Sequence, residues 1–381
     1  MIKFTKGAGG SEFDEIQKEH ENSQYKILVF DWWDWLWSQP GWPSLNDHDY
    51  KLQTNLSTDG VIAEVKEYDI CFFVIREVLN TGVFDIIPKV LNNMLIELDN
   101  LNVFYITLSE DSNFPTDESK TFNIPWFITS GENFYTSKNT TIDFDYRPKD
   151  FTFNLLLGSE RQHRTQIFET LHSESYIYPT YLGHKDFRLK SAGHLEDEDI
   201  WNNLTNQNEN TKLDTTKEIS RPNSQKNRAH KDTPYNEDRK YWISHIIPES
   251  IYNNSHFDII SESQPLMNTL KFNTEKTGKP LSTGRFFIWF DSPHKLEYLR
   301  KFGFELQDYL CEYDSIIDGD NRLETIFELI KEIGDNENYI KSIYKDTKSA
   351  RINNQEVFNE LSKTTESNLS SWIRRQVNRK L

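Results

Sequence analysis

FDIISESQPLMNTLKFNTEKTGKPLSTGRFFIWF, residues 257–290, decides how the chain is read. Two apolar runs, FDIIS and RFFIWF, enclose a polar stretch that contains NTEK. Short runs of β-branched and aromatic residues bounded by turn residues read as buried strands. The stretch between them holds a helix start: Thr274 suits an N-cap, with Glu275 and Lys276 in the first turn and Lys279 on a similar face. Gly284 then permits a tight return into the second run. The polar stretch thus lies between two buried strands.

The same alternation extends outward. Upstream, FTFNLLLGSERQHRTQIFETL (151–171) reads as strand, glycine turn and helix, and 176–182 and 241–247 read as further strands. The first part repeats the theme with KILVF (26–30), DICFFVI (69–75) and VFYIT (103–107). Between the last two, Ile87, Leu91, Leu95 and Leu98 line one helical face over 83–98. Downstream, 293–301 reads as a short helix stopped at Gly303. Leu323, Ile326, Phe327, Ile330 and Ile333 form a packing stripe that closes near Asn336. A boundary near Pro148–Asp150 gives an N-terminal domain over 1–150, a second domain over 151–350 and a helical tail over 351–381, ending in WIRRQVNRK, that either crosses back to the first domain or meets an anionic partner. Residues 202–240 are poor in apolar side chains and read as a surface insertion.

Composition narrows the function classes. The 381 residues carry 43 Lys and Arg against 60 Asp and Glu, a net charge of −17, which argues against a general nucleic-acid coat protein while leaving room for a local basic cleft. Aromatics at 14% argue for a folded chain. Cys71 and Cys311 form no metal or redox motif, and Cys71 sits inside an apolar run. So few cysteines, and a start without an apolar h-region, point to a reducing compartment such as the cytoplasm. No run of apolar residues reaches membrane-spanning length.

Three clusters offer chemistry. In the first, Glu262 follows a strand and Thr274, Glu275, Lys276 and Lys279 open a helix. The helix amides and Lys276 suit phosphate oxygens, and Glu275 suits a ribose diol; the competing reading is a capped surface helix with solvated charges. In the second, Arg161, His163 and Arg164 open the helix after FTFNLLL. Cations there oppose the helix dipole unless an anion is bound; the competing reading is an exposed basic turn. In the third, Glu110 follows VFYITLS, at a strand end where a carboxylate can take a proton from a hydroxyl, or where it is an ordinary acidic loop residue. Asp31 and Asp34 with Trp32, Trp33, Trp35 and Trp37 form a further acidic and aromatic candidate, and Glu77 a weaker one. GAGG at 7–10 lacks nucleotide-loop spacing. The histidines, His163, His172, His184 and His194 among them, give no zinc spacing, and DGD at 318–320 reads as a cap or turn, so no metal site is expected.

The matching pieces FDIISES, FNTEKTGKPLSTGRFFIWF, LEYLRKFGFE and YDSI, with GSERQHR upstream, resemble the donor-binding half of fucosyltransferase-like proteins, including phage-encoded glycosyltransferases. The resemblance covers about residues 150–333 with interruptions. It implies an α/β, GT-B-like fold, two Rossmann-like domains facing a cleft, with a nucleoside-diphosphate sugar as donor substrate and no separate cofactor. By resemblance, Arg161 and Lys276 contact the diphosphate, Glu275 contacts the ribose, and Glu110 is the catalytic carboxylate. The expected activity is inverting, metal-independent sugar transfer to a hydroxyl acceptor, a glycan before DNA. The alternatives are transfer to hydroxylated DNA bases and a non-catalytic nucleotide- or glycan-binding module. If the chain is phage-encoded, its compartment is the host cytoplasm.

Overall fold

Parallel strands buried on both faces need a continuous apolar run, and the chain supplies two sets of them. The computed structural model describes residues 2–4, 26–31, 59–75, 101–107, 110–111, 120–124, 126–129, 135–136, 143–157, 162–181, 246–247, 249–262, 270–271 and 273–378. The 7–10 glycines, Asp34 and Trp32–Trp37, Glu77, the 83–98 helix, Arg161, His184, His194 and the 202–240 segment lie outside the described residues. Two compact units are present: Met1–Thr129 with Thr269–Phe272 and Lys363–Leu381, and Ser130–Asn268 with Asn273–Ser362. The described structure is mixed α/β with two sheets of parallel strands, of the Rossmann-like class.

The first unit holds a five-stranded parallel sheet in chain order: β1 (Ile2–Phe4), β2 (Ile27–Asp31), β3 (Ile70–Ile75), β4 (Val103–Thr107) and β5 (Thr121–Asn123). Helix α1 (Asp59–Val65) precedes β3 and buries Val61, Ile62 and Val65. Alternation along the strands divides the core. Val29, Phe72, Val74, Phe104 and Ile106 pack with Leu369, Trp372, Ile373 and Val377 from the C-terminal segment. The Trp372 ring lies 6.1 Å from Phe72, 6.0 Å from Phe104 and 5.3 Å from Phe122. Phe30 and Phe73 stack at 4.9 Å.

The second unit holds β6 (Phe151–Leu157), β7 (Ile177–Tyr181), β8 (Ser255–Ser261) and β9 (Phe287–Phe290), all parallel, in the order β9-β8-β6-β7. Every residue of β8 is buried. Helices α2 (Gln162–Leu171), α3 (Glu275–Ser282) and α4 (Lys295–Lys301) follow or join these strands. Helix α5 (Gly319–Ile333) is capped by Asp318, whose side chain accepts from the Asn321 amide at 2.9 Å, so DGD is a cap. The helix stops at Gly334, before Asn336, and its buried stripe is Ile326, Ile330 and Ile333, with Leu323 and Phe327 half-buried. Of the strand expected at 241–247, only Ile246–Ile247 is one among the described residues. Helix α6 (Glu337–Asn378) absorbs the expected tail into a single 42-residue element. No described helix is long and apolar enough to cross a membrane.

Buried charge locks the start of β8. Arg285 Nε donates to both oxygens of Asp258 at 3.1 and 3.0 Å, and its two amino groups donate to the carbonyls of Tyr252 and Ser255 at 2.9 and 3.0 Å. Asn154 donates to the same Asp258 carboxylate. Just before Arg285, Gly284 has φ +59°, and a Cβ there would sit 2.6 Å from the Phe144 ring and 3.1 Å from the Arg351 carbonyl. Gly284→Ala combines a left-handed backbone with a steric clash. It is expected to lower stability by roughly 2–4 kcal/mol; an unchanged urea midpoint would show that this return turn is not so constrained.

Candidate functional site

The strand order of the second sheet reverses between β6 and β8: one connection leads outward to β7, the other to β9. In open α/β sheets the crevice beyond the carboxyl ends of two such strands is where ligands bind. Glu262 is the first residue past β8, and α2 brings His163 and Arg164 to the same end. His163 Nε2 lies 3.3 Å from the Glu262 carbonyl oxygen. The buried Arg164 reaches toward the carbonyls of Ser261 and Glu262 at 3.4 and 3.5 Å. Both side chains thus brace α2 against the strand end.

The Glu262 carboxylate is fully buried. The Thr274 amide donates to Oε1 at 3.1 Å, the Thr274 hydroxyl to Oε2 at 2.6 Å and the Thr277 hydroxyl to Oε1 at 2.5 Å. Lys295 Nζ stands 3.7 Å from Oε1, 2.7 Å from Asp291 Oδ2, and donates to the Thr277 hydroxyl at 2.9 Å. One strand-end carboxylate therefore fixes the first turn of α3, and one ammonium bridges it to Asp291 at the end of β9. Lys295 is itself set by Asp314, whose oxygens accept the Lys295 and Leu296 amides at 2.9 Å.

Two buried carboxylates share this one ammonium. Burial pushes the Glu262 carboxyl up, but Lys295, Lys276 and the two threonine hydroxyls outweigh it and hold the group below its ordinary range. Burial and the neighbouring Glu262 push Asp291 up to about 6, despite the opposing Lys295. The better hydrogen-bonded carboxylate keeps its charge and the other yields.

The first turn of α3 carries the remaining candidates. Thr274 is an extended N-cap whose hydroxyl accepts from the Lys276 amide at 3.4 Å. Lys276 Nζ donates to Glu275 Oε1 at 2.8 Å and to the Thr274 hydroxyl at 3.0 Å. Burial pushes Glu275 up, but Lys276 and Lys279 outweigh it and hold it at about 2. Burial, with Lys276 adding to it, lowers Lys279 to about 8. In this half-buried helix start Lys276 balances Glu275, Lys279 adds a further cation in the last turn, and the helix amides with the two lysines suit an anion.

Thr274, Glu275 and Lys276 share the first turn of α3 and Lys279 stands in its last turn, and Glu262, His163 and Arg164 reach the neighbourhood through the strand end. Glu110 is in the other unit. Its backbone forms a two-residue antiparallel pair in which it stands opposite Lys271. Residue spacing did not reveal Thr277, Asp291, Lys295 or Asn273. Asp291 follows RFFIWF as Glu262 follows FDIIS, so the strand-end rule would have found it. Asn273 is 3% exposed, and neither atom of its amide has a hydrogen-bond partner among the described residues. The buried Ser261 hydroxyl is in the same state. An unmet buried polar group costs about 1–3 kcal/mol. A cavity of about 410 Å³ between α2 and α5, lined by Gln166, Leu323, Glu324 and Phe327, shares no residue with this cluster. Among the described residues, no group of three His, Cys, Asp or Glu is placed to hold a metal ion.

Lys295→Met strands two buried carboxylates and is expected to cost about 3–5 kcal/mol in urea unfolding at pH 7. The pH dependence has a definite sign. Asp291, raised from 3.8 to about 6, contributes stability that is present below pH 4 and lost as pH rises through 6. Glu262, lowered from 4.5, contributes stability that is present above that value and lost as pH falls. Asp291→Asn should therefore abolish a loss of stability between pH 4 and 6. Identical pH profiles for parent and variant would contradict the shared-ammonium account.

Comparison with protein-family models, with curated proteins and with solved structures finds no match to this chain.

Proposed function

We propose that the chain is a nucleotide-sugar-dependent glycosyltransferase of GT-B-like organisation, with the donor held by the second unit. The observation that carries this reading is the capped first turn of α3, with its amides and Lys276, anchored through Glu262 at the strand-order reversal of a parallel sheet. In the proposed reaction a hydroxyl of the acceptor attacks the anomeric carbon and the bond to the diphosphate oxygen breaks. The electron pair leaves with the nucleoside diphosphate, and Glu110 takes the hydroxyl proton. Lys276, the α3 amides and Lys279 stabilise the charge that develops on the diphosphate. Glu275 accepts from the ribose diol once Lys276 turns from it to the phosphates. Arg164 and His163 keep the strand end in place. A glycan hydroxyl is the proposed acceptor, since a net charge of −17 opposes a broad duplex-DNA footprint.

A second reading, a nucleotide-binding module without catalysis, draws on the pairing of Lys276 with Glu275 and Thr274, which leaves the turn internally satisfied. Acceptor-dependent turnover separates the two: a catalyst loses it in Glu110→Gln while donor binding stays, whereas a binding module has none to lose.

Lys276→Ala is expected to weaken nucleoside diphosphate binding about tenfold or more while leaving free nucleoside nearly unchanged. Affinity for the diphosphate should also fall as pH rises through 8, where Lys279 loses its charge. Calorimetric titration with a panel of nucleoside diphosphates checks both. A folded parent that binds none of them, or a Lys276→Ala variant that binds them equally well, would sink the donor-site assignment.

A further inference from the structure

Asn273 immediately precedes the N-cap of α3, an eight-residue helix. The residues around it are committed: Thr274 to Glu262, Glu275 to Lys276, Thr277 to Glu262 and Lys295. Asn273 alone in this turn has both a donor and an acceptor buried without partners. A leucine of nearly the same shape would remove that burden, so the amide does not serve the stability of the ligand-free chain. Phosphate oxygens only accept, so they would satisfy one half of an amide. A neutral group that both donates and accepts would satisfy both halves.

We propose that Asn273 is a specificity-determining residue that reads, by one donated and one accepted hydrogen bond, a neutral donor–acceptor group of the ligand beside its phosphates. That group is either a hydroxyl of the phosphate-bearing sugar or the amide-like edge of a base. The proposal rests on the reading of the α3 N-terminus as a nucleoside diphosphate site. The amide is covered in the ligand-free chain, so ligand entry has to uncover it. Specificity of this kind is effective because a ligand lacking the group leaves the amide unmet in the complex as well.

The test compares the full-length parent with Asn273→Leu, using two readouts: melting temperature without ligand, and affinity for inorganic pyrophosphate and for nucleoside diphosphates with different bases. The expected result is a melting temperature raised by about 2–4 °C. Pyrophosphate affinity should stay within about twofold, and nucleoside diphosphate affinity should fall about tenfold. An equal loss for every base assigns the sugar hydroxyl, and a loss confined to particular bases assigns the base edge. If the parent binds nucleoside diphosphates and the variant binds them as tightly, Asn273 is an unmet polar group and the proposal falls alone. It also falls if pyrophosphate and nucleoside diphosphates weaken together, or if the variant melts lower than the parent. A parent that binds neither probe overturns the donor-site reading, and this proposal with it. Should Asn273→Leu not fold, Asn273→Ala is judged on the two affinities by the same outcomes.

Discussion

A charged carboxylate at zero exposure has to be matched by donors on every side, and meeting that demand at Glu262 organises the carboxyl end of the second unit's sheet. The donors come from a helix start twelve and fifteen residues further along the chain and from a lysine at the next strand-to-helix junction. Desolvating the carboxylate is costly, so the three segments are held in one arrangement. Thr274 stands at the centre: it caps α3, donates to Glu262 and accepts from Lys276. The helix terminus that faces the strand-order reversal is thereby a rigid element, which is what positioning a diphosphate requires.

The same strand carries a second buried ion pair nearer its start, and the contrast is informative. Around Asp258 and Arg285 the guanidinium donates to a carboxylate and to two backbone carbonyls, and Asn154 completes the set. That network is neutral as a pair and has no unmet member among the bonds described, as expected of a group that fastens strands together. The group around Glu262 is different in kind. It has two carboxylates for one ammonium, a half-buried helix start in which Lys276 pairs with Glu275, and, among the described residues, two buried polar side chains left over at Ser261 and Asn273. Stability alone explains the first network and does not explain the second.

Much of this was legible in the sequence. KILVF, DICFFVI, VFYIT, FTFNLLL, FDIIS and RFFIWF each supply a strand, because a parallel strand buried on both faces has to be an uninterrupted apolar run. The cap at Thr274 and the turn at Gly284 were legible because their chemistry is local. Lys295 was not, since nothing in its neighbourhood distinguishes it from a solvated lysine in the exposed-looking run PHKLEYLRK. Its burial is imposed by Glu262 and Asp291, which are distant in sequence and meet only when β8 and β9 pair. Arg164's partners were not legible for a related reason: its place in a first helical turn says nothing of the two strand-end carbonyls that its guanidinium reaches. The second half of the long helix was legible as helical, but which residues carry its packing was not, because Leu369, Trp372, Ile373 and Val377 are spaced among many charged and polar ones.

That last packing has a consequence for the order in which the molecule can be made. Phe72 and Phe104 belong to strands that leave the ribosome early, but the indole that covers them is residue 372 of 381. The face of the first sheet built from Val29, Phe72 and Ile106 therefore stays uncovered by this helix while the entire second unit is being synthesised. Most multidomain chains complete their N-terminal unit first. Here the first unit closes only after the second has been made, by a segment that follows it in the chain, so its apolar face needs a temporary cover, a chaperone or its own transient collapse, until that segment emerges.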